Sequence, residues 1–204
     1  MKSCLMPKIG QEPARRAALV NATISEIGLA CSLDVTVGQI ARRAGMSTAL
    51  AHYYFESKDA IFLAAMRHII SEYGRAVRAL LHPDQSPRER LSAIVEASLG
   101  RDQFADEIVS AWLVFYVEAQ RSPEAGRLLK IYARRLHSNL VYGLRFLVDP
   151  PAAHGIAQGA ASMIDGIYIR HALQSDAPSR PQARALVNNY IDLNIARYSA
   201  KTED

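Results

Sequence analysis

Apolar residues recur at helical spacing along nearly the whole chain, and the sequence has no sustained alternation of β-branched residues between hairpin turns. The pattern therefore predicts an all-α protein. A first helix is expected over residues 13–30, where Val20, Ile24, Ile27 and Cys31 form one apolar stripe. Eight more helices are expected, over residues 37–44, 48–54, 58–80, 87–100, 105–121, 124–147, 152–174 and 181–198.

Polar residues mark where several of these helices begin. Thr36 is followed three positions later by Gln39, which is the spacing of a capping box. Ser47 and Ser57 are in place to cap the next two helices, and Ser86-Pro87-x-Glu89 opens another with a cap, a proline and an acid. Breaks are expected at Gly45 and around residues 100–102, 122–123, 149–151 and 178–181.

Two short helices joined through Gly45 and flanked by longer ones are typical of a helix-turn-helix, whose second helix enters the major groove of DNA. The outward face of that second helix is small and polar, and it carries Thr48, Ala49, His52 and Tyr53. Hydroxyl and imidazole groups can bond to base edges or phosphates, and an alanine leaves room for a thymine methyl. A plain helical hairpin with these residues as ordinary surface is the alternative.

The helix starts add three residues to the predicted DNA-binding set. Thr36 and Lys58 lie at helix N-termini, where backbone amides and the positive end of the helix dipole favour phosphate. Ser47, the cap of the second short helix, completes the set.

The stretch from Thr36 to Lys58, TVGQIARRAGMSTALAHYYFESK, resembles the signature of the TetR family of transcriptional repressors. The family usually has a tyrosine where this chain has His52, and Tyr53 can take over the phosphate contact made there. The resemblance implies a three-helix DNA-binding domain over residues 1–57 and a ligand-binding and dimerisation domain over residues 58–204. It also implies a homodimer that binds a palindromic operator in double-stranded DNA.

Charge supports a DNA partner at the N-terminal end. The net charge is +4, and residues 1–55 carry six Lys or Arg against three acids, which leaves the remainder nearly neutral. This basic footprint is modest and suits a polyanion only if the fold concentrates it.

Other classes of protein are less well supported by the sequence. The two cysteines and six histidines show no metal-ligand spacing, and no nucleophile motif is recognisable, so neither an enzyme nor a cofactor is expected. No apolar run is long enough to span a membrane and no signal peptide is recognisable, so we expect a soluble, cytoplasmic protein. An all-helical enzyme and a helical adaptor that binds only protein remain as alternatives.

Aromatic and acidic residues in the body suggest a ligand site. The helix over residues 105–121 places Trp112, Phe115 and Tyr116 on one face, and Tyr132 lies on the next helix. Asp165 interrupts an otherwise apolar helix, one turn before Tyr168. A quaternary ammonium ligand such as choline would explain both features, because aromatic faces and a carboxylate attract a cation that cannot donate strong hydrogen bonds.

The alternative is a purely structural role. Aromatic stripes are usually core, and Asp165 could form a salt bridge to Arg145 or Arg170 or cap a neighbouring helix. Glu118, on the same helix as Trp112, is expected to be a solvated surface residue.

The last two predicted helices are candidates for a dimer interface. Gly155, Gly159, Ala160 and Ala161 allow close helix approach on one, and Leu186, Tyr190 and Leu193 form an apolar stripe on the other. Two such helices from each subunit can pack as a four-helix bundle.

Four further blocks resemble choline-responsive members of the same family that control glycine betaine synthesis: residues 6–23, 111–116, 135–140 and 164–173. Residues 118–121 and 141–143 depart from that likeness. The resemblance implies a repressor of choline uptake and betaine synthesis genes. The alternative is a TetR-type repressor that responds to another small molecule, such as a hydrophobic one.

Overall fold

The computed structural model describes residues 11–173 and 176–199, and within these ranges the chain forms α-helices joined by turns. Four helices make up the first part: α1 (Gln11–Ala30), α2 (Val37–Arg43), α3 (Thr48–Tyr54) and α4 (Lys58–Leu80). The rest of the described chain holds α5 (Pro87–Ser98), α6 (Asp106–Glu118), α7 (Pro123–Leu144), α8 (Pro150–Leu173) and α9 (Arg180–Ser199). Among the described residues, the prediction of an all-α fold with about nine helices is confirmed. Cys4, Lys2 and Lys8 lie outside the described residues.

Side-chain caps start the helices where the sequence places them. Thr36 and Gln39 form a complete capping box on α2, and Ser86 and Glu89 form another on α5. Ser47 and Ser57 accept hydrogen bonds from the amides of Leu50 and Ala60, which caps α3 and α4. These bonds satisfy amides that would otherwise have no partner in the first helical turn.

Gly45 provides the turn between α2 and α3. Its φ of 68° lies in the left-handed region, which glycine adopts without steric cost. The Gly45 amide donates to the Arg42 carbonyl and the Met46 amide donates to the Ala41 carbonyl, which is the Schellman pattern that ends a helix.

Several helix boundaries differ from the sequence prediction by one to three residues. Helix α1 begins at Gln11 instead of residue 13, and α5 ends at Ser98 instead of residue 100. Three other shifts have a local reason. The expected helix over residues 105–121 ends at Glu118, because the amides of Gln120 and Arg121 reach back only three residues and tighten the last turn. The same tightening at the Leu147 amide ends α7 at Leu144 instead of residue 147. Asp149 caps the amide of Ala152, which lets α8 begin at Pro150, two residues early.

One close approach joins the N-terminal helices to the body. Helix α1 packs against α4 and α6, and Gly28 of α1 lies directly on the backbone of Glu107 in α6. The Ser25 hydroxyl donates to the Glu107 carboxylate at 2.9 Å beside this contact. The position of α1 relative to α6 therefore depends on the absence of a side chain at Gly28.

No helix in the described part of the chain is both long and apolar enough to cross a membrane.

We expect Gly28→Ala to destabilise the fold by about 1–3 kcal/mol, the usual cost of overpacking a tight contact. A Cβ there would lie 2.5 Å from the Glu107 carbonyl oxygen, and backbone cannot move away as a flexible side chain could. The matched control is Gly74→Ala on α4, whose Cβ would meet only the end of Arg78. It should stabilise the helix by about 0.5–1 kcal/mol. Urea unfolding of both variants tests this, and two changes of the same sign would contradict it.

Candidate functional site

Helix α3 has a buried inner face and an exposed outer face, as the sequence predicts. Ala51 is fully buried and Tyr54 is only 8% exposed, whereas Tyr53 is 75% exposed. Thr48, Ala49 and His52 are also exposed. The outer face is therefore a narrow, small and polar surface with one projecting aromatic ring, which matches the requirements of a helix that enters a major groove.

Side chains from α1 hold the end of α3 in place. Arg16 donates to the Tyr54 carbonyl at 2.7 Å, and its guanidinium stacks over the Phe55 ring at 4.5 Å from the centroid. Arg15 reaches the Tyr54 hydroxyl at 3.5 Å. Sequence reasoning treated both arginines only as part of a basic footprint, and their contacts with residues 38 and 39 positions away had no local signal.

The three residues predicted at helix starts have structural partners. The Thr36 hydroxyl accepts from the Gln39 amide and donates to the Gln39 side chain, and the Ser47 hydroxyl caps α3. Lys58 donates to the Leu33 carbonyl at 2.8 Å and so fixes the start of α4 to the turn after α1. Its exposed ammonium keeps two donors besides this bond, and phosphate contact by these residues stays a prediction.

The structure brings the six predicted ligand-binding residues together. The Trp112 ring lies 4.6 Å from Tyr132, 5.9 Å from Tyr116 and 6.5 Å from Tyr168, measured between centroids. Phe115 packs edge-on against Trp112 at 6.0 Å. We call these five rings and Asp165 the aromatic cluster. Its members come from α6, α7 and α8.

Asp165 carries the only carboxylate of the aromatic cluster. It accepts a hydrogen bond of 2.9 Å from the Tyr116 hydroxyl, and no ion pair to it is found among the described residues. The predicted alternatives, a salt bridge to Arg145 or Arg170, are not seen there. Burial raises the pKa of the Asp165 carboxyl above its ordinary value, and the bond from Tyr116 opposes that rise only in part.

Burial also raises the pKa of the Tyr116 and Tyr168 hydroxyls, and the charge of Asp165 adds to the effect in both. The two phenols therefore stay protonated and act as donors. Tyr168 donates to the Ser98 carbonyl, which leaves the Asp165 carboxylate with the Tyr116 hydroxyl as its hydrogen-bond donor among the described side chains. A negative group in this setting is complementary to a small cation.

Two aromatic residues of α4, which the sequence analysis did not include in the ligand site, pack against the aromatic cluster. Tyr73 meets Tyr132 edge-on at 5.4 Å, and Phe62 meets Phe115 at 5.1 Å. Both lie on the buried face of α4. The spacing of apolar residues along that helix predicted that they are buried, but it could not show that they contact α6 and α7. Glu118, predicted to be solvated, is half-buried and lines a groove of about 410 Å³ beside Val117.

An open cleft of about 660 Å³ lies between α1, α4 and the segment after α5, and none of the residues that line it belongs to the aromatic cluster. Ile69 and Ile108 form part of its wall, and they precede Tyr73 on α4 and Trp112 on α6 by about one helical turn. Its acidic lining residues outnumber its arginines: Glu72, Glu96, Asp102 and Glu107 against Arg75 and Arg101. Among the described residues no group of three or more side chains could hold a metal ion.

Helices α8 and α9 leave an apolar surface exposed. Leu186 and Leu193 are 49% and 72% exposed, and a groove of about 700 Å³ between the two helices is lined by Met163, Gly166 and Leu186 among others. Tyr190 instead packs directly on Gly159, which uses the close approach that a small residue allows.

Comparisons with known proteins agree with this architecture. Residues 87–196 match the family described as BetI-type transcriptional repressor, C-terminal, and residues 32–65 match the bacterial regulatory proteins of the tetR family. The chain is 53% identical over 190 residues to the HTH-type transcriptional regulator BetI of Brucella anthropi, covering 93% of this chain and 98% of that relative. The BetI of Agrobacterium fabrum is 51% identical over 193 residues, covering 95% and 94%.

Solved structures share the fold at low sequence identity. A transcriptional regulator from Saccharomonospora viridis in complex with choline superposes with a TM-score of 0.79 at 24% identity, over 88% of this chain and 96% of that chain. A TetR transcription regulator from Haloarcula marismortui gives 0.78 at 20% identity, over 89% and 98%.

The matched families and the named relatives are transcriptional regulators, so the chain is a helix-turn-helix transcriptional repressor rather than an enzyme. The chain belongs to the TetR family and, within it, to the BetI-type repressors.

We expect Asp165→Asn to raise the free energy of unfolding of the unliganded protein near neutral pH. The folded-state pKa of Asp165 is raised above the unfolded value of 3.8, so the folded protein bears a cost for the ionised carboxylate that the unfolded chain does not. That cost is fully present above the raised pKa and is absent below 3.8, where both states are protonated.

The advantage of Asp165→Asn should therefore shrink as pH falls. Urea unfolding at a series of pH values from about 7 down to about 4 measures it, with Asp84→Asn in the exposed turn before α5 as a control for the lost charge. A variant that is less stable than the wild type at neutral pH would show that the carboxylate has a structural partner.

Proposed function

We propose that the chain represses transcription as a homodimer that binds a palindromic operator and is released by choline or a similar quaternary ammonium. The genes under its control are proposed to be those of choline uptake and glycine betaine synthesis. The observation that carries the ligand assignment is the Asp165 carboxylate, which lies in an aromatic cluster without a cationic partner among the described residues.

DNA recognition is assigned to the outer face of α3. Thr48, Ala49, His52 and Tyr53 would face base edges and phosphates, with α2 crossing the backbone. Residues 1–57 are proposed as the DNA-binding domain, and residues 58–204 as the ligand-binding and dimerisation domain. The basic groups of α1 and α2 supply the non-specific attraction to phosphate.

Dimerisation is assigned to α8 and α9. Their exposed leucines and the groove between them would be removed from water by the same two helices of a second subunit, as a four-helix bundle. Such a two-fold pair would present two α3 helices at the spacing of successive major grooves, about 34–36 Å apart.

Ligand binding is assigned to the aromatic cluster. A trimethylammonium group carries no N–H, so it is held by ring faces and by charge, and each ring contributes about 0.5–2 kcal/mol. The rings of Tyr116, Trp112, Tyr132 and Tyr168 supply those faces, and Asp165 supplies the opposite charge. The solved regulator that contains choline has the same fold.

A contact path connects the aromatic cluster to the DNA-binding helices. Phe115 of α6 packs against Phe62 in the first turns of α4, and Lys58 at the start of α4 bonds to the Leu33 carbonyl. A ligand that moves α6 would therefore also move α4, which directly follows α2 and α3 in the chain. It lowers operator affinity only by the difference between its own affinities for the two arrangements.

Removal of side chains from the outer face of α3 should weaken operator binding. We expect His52→Ala and Tyr53→Phe each to lower the affinity about five- to tenfold, as for the loss of one contact worth about 1 kcal/mol. Fluorescence anisotropy with duplex DNA from upstream of the gene, titrated against random competitor, measures this. The control Lys130→Gln, an exposed basic residue on α7, should change it by less than about twofold. Equal affinity for operator and competitor would contradict the assignment.

Choline should bind the aromatic cluster and release the operator. We expect Asp165→Asn to weaken choline binding at least about tenfold, because the neutral amide no longer complements the cation. Operator affinity without ligand should stay within about twofold, and Asp84→Asn should behave as the wild type. Calorimetry with choline and anisotropy with operator duplex give the two values. Tight operator binding that choline leaves unchanged, together with no heat of choline binding, would favour the alternative of another effector.

A further inference from the structure

The indole N–H of Trp112 is an unpartnered donor inside the aromatic cluster. Trp112 is 1% exposed, and its Nε1 is buried without a hydrogen-bond acceptor among the described residues. An indole nitrogen can only donate a hydrogen bond, so it cannot be satisfied by acting as an acceptor. A buried donor without an acceptor costs free energy, and native proteins rarely keep one without a reason.

The neighbouring hydroxyls do not accept from Trp112. Tyr116 donates to Asp165 and Tyr168 donates to the Ser98 carbonyl, and neither oxygen is a hydrogen-bond partner of the Trp112 Nε1. The nearest ring, Tyr132, lies 4.6 Å from the indole at a tilt of 43° and is fully enclosed. The cluster therefore contains both a negative group for a cation and a donor that lacks an acceptor.

Choline has both complementary groups on one small molecule. Its trimethylammonium group matches Asp165 and the tyrosine faces, and its hydroxyl oxygen, on a short arm, is an acceptor. Trp112 stacks on Tyr116 with 5.9 Å between the ring centroids, and the Tyr116 hydroxyl donates to Asp165. A ligand that carries a charged group and an accepting group on a short arm therefore complements both residues.

We propose that the Trp112 N–H donates to the hydroxyl of the bound ligand, and that Trp112 thereby selects a hydroxylated quaternary ammonium over one without a hydroxyl. The inference rests on the proposed function, since it assigns the effector's polar end within the same site. It makes Trp112 a specificity-determining residue rather than only a ring face. The discrimination expected from one neutral hydrogen bond is about three- to tenfold.

The experiment compares choline with ethyltrimethylammonium, which has hydrogen in place of the hydroxyl. Both bind by their common ammonium group if the proposed function is correct. Calorimetry on the wild-type protein should give about three- to tenfold tighter binding for choline. Trp112→Phe keeps an aromatic face but lacks the N–H, so the two ligands should bind it equally. Phe115→Leu is the control, because it changes packing without a hydrogen-bonding group and should weaken both ligands alike.

A second readout uses the unmodified sequence, in case Trp112→Phe does not fold. Trp112 is the chain's one tryptophan, so protein labelled with 15N-tryptophan shows a single indole N–H signal. Choline should move the indole proton downfield relative to its position with ethyltrimethylammonium.

Equal affinities for the two ligands in the wild type, with the indole proton at the same position, would overturn the inference and leave the proposed function standing. The same holds if Trp112→Phe keeps the preference for choline. Binding of neither ligand would overturn both.

Discussion

The proposed ligand site depends on the position of one carboxylate. Asp165 lies within the largely apolar helix α8, among aromatic rings. It has one hydrogen bond from a phenol and no ion pair among the described residues. Such a group destabilises the folded chain when it is ionised, because the bond from Tyr116 replaces only part of the water it has lost. A cation bound beside it would remove that cost. The site is therefore built so that the ligand supplies an interaction the protein lacks.

The same rings connect the ligand site with the rest of the fold. Helices α4, α6, α7 and α8 each contribute aromatic residues, so a change at the cluster reaches most of the body at once. Phe62 lies in the first turns of α4, which directly follows the helix-turn-helix proposed to bind DNA. At the other contact between the two parts, Gly28 keeps α1 on the backbone of α6. Ligand binding and the position of α3 thus involve the same helix, α6, from two sides.

Local interactions made the helices and the helix-turn-helix predictable from the sequence. The capping residues Thr36, Ser47 and Ser57 and the glycine at position 45 act within a few residues of themselves, and the structure confirms each. Contacts between distant helices were less accessible. The helical period predicted that Tyr73 is buried but not that its ring contacts Tyr132. From the sequence, Arg16 could be recognised only as a basic residue, although it holds the end of α3 in place. Asp165 was recognisable because a carboxylate breaks an apolar pattern.

The central claim is that the aromatic cluster is a cation site, and a crystal structure of the dimer grown with choline tests it most directly. The account predicts the ammonium within about 6 Å of the centroids of Trp112 and at least two tyrosine rings, facing the Asp165 carboxylate. Choline located in another cavity, or an Asp165 side chain paired with a protein cation in that crystal, would contradict it.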